Sequence, residues 1–121
     1  MCNDKAYIIC QAPVEVPNVL SLYEQCKKSY NEIFIVSSRT DSYSKFFQLL
    51  NVDAKFIKWD FNEFDFLKNW NLKTFHQQIV DNLQNLDLRN SDVFYTSRLD
   101  FFVLCHLQRF PIGTRFFYRG L

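Results

Sequence analysis

The sequence predicts one α/β domain over residues 1–121: a doubly wound, Rossmann-like fold with a mostly parallel five-stranded sheet. The first observation behind this prediction is that short, wholly apolar runs alternate with segments whose apolar residues recur at helical spacing. The second is that 48% of the 121 residues are hydrophobic and 14 are Phe, which suffices for one aromatic-rich core. Right-handed crossovers then favour the strand order 3-2-1-4-5.

The chain begins with a predicted central strand and a helix. Residues 6–10 read AYIIC, an apolar run typical of a strand that is buried on both faces. Pro13 and Pro17 bracket a loop, because a proline disfavours helical geometry in the residue before it. From Asn18 onward the apolar residues recur at helical spacing, and we expect the first helix there.

The second and third predicted strands enclose a second helix. Residues 33–36 (IFIV) form the second strand, and the helix after it places four apolar residues on one face: Tyr43, Phe46, Phe47 and Leu50. Residues 54–59 (AKFIKW) form the third strand. Its two lysines favour an edge position, since charge at a sheet edge discourages pairing with other chains.

The second half of the chain supplies two more strands. A third helix is indicated by Phe75, Ile79, Leu83 and Leu86 at helical spacing. Residues 93–95 begin the fourth strand, residues 100–110 form an apolar fourth helix that Pro111 and Gly113 end, and residues 115–118 (RFFY) form the fifth strand. Segment 60–71 has no clean period; it combines aromatic with acidic residues. We interpret it either as a sugar-stacking or partner-binding loop or as a loop packed on the sheet.

Composition excludes several classes of function. A net charge of +1 provides no basic field for nucleic acid. No apolar run approaches the ~20 residues of a membrane helix, and residues 1–5 lack the apolar region of a signal peptide, so we predict a cytoplasmic protein without a transmembrane segment. The four cysteines form no C-x-x-C pair and are predicted to be free thiols, with no metal site: Cys2, Cys10, Cys26 and Cys105.

Polar residues follow the predicted strands, at the edge where open α/β sheets bind ligands. This rule selects nine candidate ligand-binding residues: Gln11, Ser37, Ser38, Arg39, Asp60, Thr96, Ser97, Arg98 and Arg119. Three arginines on one rim suit an anionic small molecule such as a phosphate or a carboxylate. The alternative interpretation is structural, with Ser38 and Ser97 as helix N-caps and the arginines solvated.

The chain lacks the glycines of the common cofactor sites. Its two glycines, Gly113 and Gly120, both lie far from the first strand, whose following turn reads Gln11-Ala12-Pro13. A dinucleotide fingerprint requires glycines in that turn, and no P-loop is present, so no cofactor is predicted. His76 and His106 have no nucleophile pattern beside them and are interpreted as structural. No catalytic residue is predicted.

The order of elements also suggests a family. With Ser-Ser-Arg after the second strand, VFYTSRLD around the fourth and RFFYRGL at the fifth, residues 6–121 resemble the N-terminal half of two-domain (GT-B) bacterial glycosyltransferases. The similarity is to the sialyltransferase-like enzymes of lipooligosaccharide and capsule synthesis. It implies an acceptor-side domain that binds a saccharide and is inactive without its nucleotide-sugar half. The chain departs from the family at Arg119-Gly120-Leu121, where an acidic-glycine turn is expected, and no catalytic residue is carried over.

Two other hypotheses stand beside this resemblance. A non-enzymatic, flavodoxin-like binding or regulatory module is indicated by the missing glycine motifs; it predicts an aromatic surface patch that is buried in a partner or a homodimer. A small stand-alone enzyme would instead bind an anionic substrate through Arg39, Arg98 and Arg119. The glycosyltransferase hypothesis expects a longer natural reading frame with a second domain, because the chain stops directly after the fifth strand.

Overall fold

The computed structural model describes residues 3–10, 16–37, 40–58, 72–95 and 110–118. These ranges hold five strands: β1 (Lys5–Ile9), β2 (Glu32–Ser37), β3 (Lys55–Lys58), β4 (Ser91–Tyr95) and β5 (Arg115–Tyr118). They also hold three helices: α1 (Val16–Cys26), α2 (Thr40–Leu49) and α3 (Leu72–Gln84). The aromatic segment 60–71 and most of the predicted helix 100–110 lie outside the described residues.

The five strands form one sheet in the order β3-β2-β1-β4-β5, and every pair of neighbours is parallel. This confirms the predicted α/β fold class and strand order, with β1 at the centre and β3 at an edge. In the register, Ile8 of β1 lies between Ile35 of β2 and Phe94 of β4. Parallel strands buried on both faces read as continuous apolar runs, which explains the sequence of β1.

The sheet has a core on each face, because successive side chains of a strand point to opposite sides. Ala6, Ile8 and Cys10 of β1 face a cluster that includes buried residues of α1 and α2. Tyr7 and Ile9 face a second cluster that includes Val80 and Leu83 of α3. The described helices therefore cover both faces of the sheet, as a doubly wound fold requires.

Fewer apolar side chains of helix α2 are buried against the sheet than its sequence pattern predicts. Tyr43 and Phe47 are buried, and the Phe47 ring stacks on Phe56 of β3 at 5.9 Å between ring centroids. Phe46 and Leu50, which were expected on the same buried face, are each 46% exposed. Because α2 lies against the edge strand β3, the described part of the sheet has no further strand to cover the flank of the helix.

The end of α2 is fixed by a C-terminal motif that also buries a core residue. Asn51 adopts a positive φ of 59°, the left-handed conformation that ends many helices. The amide of Val52 donates to the carbonyl of Phe47 at 3.0 Å, and the amide of Asn51 donates to Gln48 at 3.1 Å. These two bonds form a Schellman motif, and they bring Val52 into the same cluster as Phe47.

Two boundaries differ from the sequence prediction. Helix α1 begins at Val16, so Pro17 lies inside its first turn and not in the preceding loop. A proline is tolerated there because the amides of a first turn have no helical acceptor to lose. Strand β4 begins at Ser91, two residues before the apolar run that predicted it. None of the helices in the described ranges is long and apolar enough to cross a membrane.

Candidate functional site

The carboxyl ends of the parallel strands form one edge of the sheet, and the register shows which residues meet there. Ser37, the last residue of β2, lies opposite Lys58, the last residue of β3. The amide of Cys10 donates to the carbonyl of Val36 at 2.9 Å, which extends β1 beside β2 by one residue. Cys10 and Ser37 are fully buried, whereas Lys58 is exposed. At this edge, the described ends of β1 and β2 are therefore buried, while the end of β3 reaches solvent.

Of the nine predicted ligand-binding residues, the structure describes Ser37. Ser37 is fully buried at the end of β2, and its role as a ligand contact stays a prediction. The other eight lie outside the described residues: Gln11, Ser38, Arg39, Asp60, Thr96, Ser97, Arg98 and Arg119. The strands that precede the three arginines end at the same carboxyl edge of the sheet. The convergence of these arginines on one ligand stays a prediction.

The strand order defines a topological switch point between β1 and β4. From β1 the chain passes through α1 to β2 on one side, while β4 lies on the other side of β1. Connections that leave in opposite directions open a crevice outside the carboxyl ends of the two central strands, where doubly wound folds bind ligands. Tyr95, the last residue of β4, is buried beside this position and belongs to the core on the α3 face.

The first turn of α1 carries a polar group that the sequence reasoning missed. The Nδ2 atom of Asn18 is buried and has no hydrogen-bond partner in the part of the chain that the structure describes. Buried amide donors are almost always paired, so this donor calls for an acceptor. A helix N-terminus adds partial positive charge, and the first turn of α1 has no acidic residue. A single Asn in a helical run gives no sequence signal for this role.

A second polar cluster, also missed from sequence, lies at the opposite, amino edge of the sheet. The side chain of Asp92 in β4 is fully buried. It accepts hydrogen bonds from Asn3 Nδ2 at 2.7 Å and from the Tyr30 hydroxyl at 2.5 Å. Arg115 of β5 adds a bidentate pair through Nε and Nη2, each at 2.8 Å. We call these four residues the Asp92 cluster.

The chemistry of the Asp92 cluster is structural and not catalytic. Burial by itself raises the pKa of the Asp92 carboxyl, but the hydrogen bonds from Arg115, Tyr30 and Asn3 outweigh it and lower the pKa. Burial and the bond to Asp92 raise the pKa of the Tyr30 hydroxyl, which stays protonated. Asp92 already accepts four hydrogen bonds and lies at the amino edge, away from the carboxyl ends of the strands, which is the arrangement of a structural carboxylate and not of a general base.

The described residues offer no alternative chemical centre. Within them, no three or more His, Cys, Asp or Glu side chains come together as a metal site would require. Cys10 and Cys26 are buried and form no disulfide, as predicted for them. Cys2, Cys105 and His106 lie outside the described ranges, and for His76 the structure describes the backbone of α3 alone.

The described part of the chain therefore has a Rossmann-like α/β fold, with its topological switch point between β1 and β4. Comparison with known proteins adds no narrower class: no family model, no curated protein and no solved structure matches the chain.

Proposed function

We propose that this domain binds an anionic saccharide at the crevice between β1 and β4, as the acceptor-side domain of a two-domain bacterial glycosyltransferase that acts in the cytoplasm. The observation that carries the proposal is the strand order, which puts a switch point between the two central strands. A fold alone supports many functions, so the residues around the crevice decide the ligand class.

The chemistry around the crevice favours an acid group on the ligand. The buried Asn18 donor and the N-terminus of α1 both favour an acceptor with negative charge. Arg39 and Arg98 follow strands that end at this edge, and a guanidinium binds a carboxylate or phosphate through two parallel hydrogen bonds. The turn after β1 lacks the glycines that a pyrophosphate requires, which favours a small acid over a dinucleotide.

In this proposal the domain contributes binding and orientation of the acceptor. The nucleotide sugar and the reacting groups belong to a second domain, in line with the resemblance stated for residues 6–121. The domain alone is then expected to bind saccharide without transferring sugar, and no catalytic residue is assigned to it. Holding two substrates close together in the correct orientation accounts for a large part of the rate enhancement in such a two-domain arrangement.

The experiment is an NMR titration of the isotope-labelled chain with a carboxylated sugar, N-acetylneuraminic acid, and with neutral galactose. We expect shifts around Cys10 and the first turn of α1 for the acidic sugar. Asn18→Ala and Arg98→Ala should each weaken binding roughly tenfold to a hundredfold, since a hydrogen bond to a charged group contributes about 1.5–3 kcal/mol. Arg89→Ala is the matched control, because Arg89 is exposed and pairs with Asp87 near the amino edge. Equal binding by all variants, or no binding, refutes the proposal.

A second candidate function rests on the exposed flank of α2. Phe46, Leu49 and Leu50 follow helical i, i+3, i+4 spacing, and they are 46%, 83% and 46% exposed. Such a stripe supports the hypothesis of a non-enzymatic module that forms a homodimer. Sedimentation velocity tests this hypothesis. We expect a dimer that the Leu49→Lys substitution dissociates. Gln48→Lys is the control and should leave the dimer intact, because Gln48 is exposed on the same helix outside the stripe. A monomer at all concentrations excludes the dimer.

A further inference from the structure

The Asp92 cluster joins four separate parts of the chain at the amino edge of the sheet. Asn3 precedes β1, Tyr30 lies in the turn between α1 and β2, Asp92 is in β4 and Arg115 opens β5. The hydrogen bonds of Asp92 span 89 residues to Asn3, 62 to Tyr30 and 23 to Arg115. All of them end on one carboxylate.

Backbone hydrogen bonds connect the same parts of the chain around this carboxylate. The amides of Asn31 and Glu32 donate to the carbonyl of Asp4, at 3.0 and 3.2 Å. The amide of Asn90 donates to the carbonyl of Ile112 at 3.1 Å, in the turn that leads into β5. Asn3 Nδ2 also donates to the carbonyl of Gly113 at 2.8 Å. The N-terminal segment therefore touches both the α1–β2 turn and the turn before β5.

We infer that the Asp92 carboxylate is a clamp that makes these segments open together: release of the N-terminal segment, the α1–β2 turn and β5 is one cooperative local event. The physical reason is that a buried carboxylate that loses one donor keeps its full desolvation penalty. Opening of one segment alone is therefore unfavourable. Opening of all the segments together costs less free energy, because it exposes the carboxylate to water. Short edge strands otherwise open singly at low free energy.

The test is amide hydrogen exchange read residue by residue by NMR. The reporters are the amides of Asn31 and Asn90, which bond across the two turns of the clamp. The reference amides are those of Cys10, which bonds to Val36 at the carboxyl edge, and Val52, which bonds to Phe47 before β3, three strands away from β4. In Asp92→Asn, which keeps the shape of the side chain and removes its charge, both reporters should exchange roughly tenfold faster or more while the references stay unchanged.

A matched control separates local opening from a general loss of stability. Val80 is fully buried on α3, and Val80→Ala removes two methyl groups from the core away from the clamp. Arg115→Lys keeps the positive charge but loses the bidentate hydrogen bonds to Asp92. This variant replaces Asp92→Asn in the exchange experiment if Asp92→Asn does not fold. The inference is overturned if Asn31 and Asn90 accelerate no more than in Val80→Ala, or if only one of the two accelerates.

Discussion

Phe47→Ala tests the assignment of the core most directly. Phe47 is fully buried in α2, and its ring contacts those of Phe56 at 5.9 Å and Tyr43 at 6.3 Å between centroids. Truncation of a buried Phe to Ala costs about 3–5 kcal/mol, because contacts are lost and a cavity remains. Rigid rings on two sides fill such a cavity poorly, so we expect about 4 kcal/mol, near the middle of that range.

Urea unfolding followed by circular dichroism measures this loss. With a slope of about 2 kcal/mol per molar urea, 4 kcal/mol lowers the midpoint by about 2 M. Gln48→Ala is the matched control on the same helix: Gln48 is exposed and lies outside the stripe of Phe46, Leu49 and Leu50, so the free energy of unfolding should change by less than about 0.5 kcal/mol. A loss below about 1 kcal/mol for Phe47→Ala, or equal losses for both variants, would refute the packing described for α2.

Three further predictions concern single polar or backbone contacts. Folding lowers the pKa of Asp92, so the ionised carboxylate stabilises the folded state at pH values above the unfolded pKa. This contribution is lost as the pH falls through the folded pKa. In an acid titration, the free energy of unfolding should therefore fall less steeply for Asp92→Asn than for the wild type. Gly113→Ala should cost about 1–3 kcal/mol by urea unfolding, because Gly113 has a φ of 82° and an added Cβ meets the Asn90 side chain. Tyr23→Phe should cost about 1 kcal/mol in the same assay, because the amide of Asp53 donates to the Tyr23 hydroxyl at 2.8 Å; no change would show that water replaces this bond.

The candidate ligand edge was only partly predictable. Polar residues after each apolar run identify strand ends, and the parallel order brings those ends to one edge. The pattern places Ser37 at the end of β2, and the structure adds that this residue is fully buried there. A period-two pattern tells which face a side chain points to, but not how deeply neighbouring strands enclose it. The buried Asn18 donor has no sequence signal, because the burial of one side-chain atom depends on tertiary packing.

The sequence by itself determined the α/β class, the strand order and the central place of β1, since these follow from local periodicity and the handedness of the connections. The absence of the dinucleotide fingerprint from the first turn can likewise be read from the sequence alone. Tertiary structure alone decided which flank of α2 stays exposed, because this depends on where the sheet ends. It also decided that Asp92 meets Arg115, Tyr30 and Asn3, because strand register and chain packing bring together residues that local patterns cannot connect.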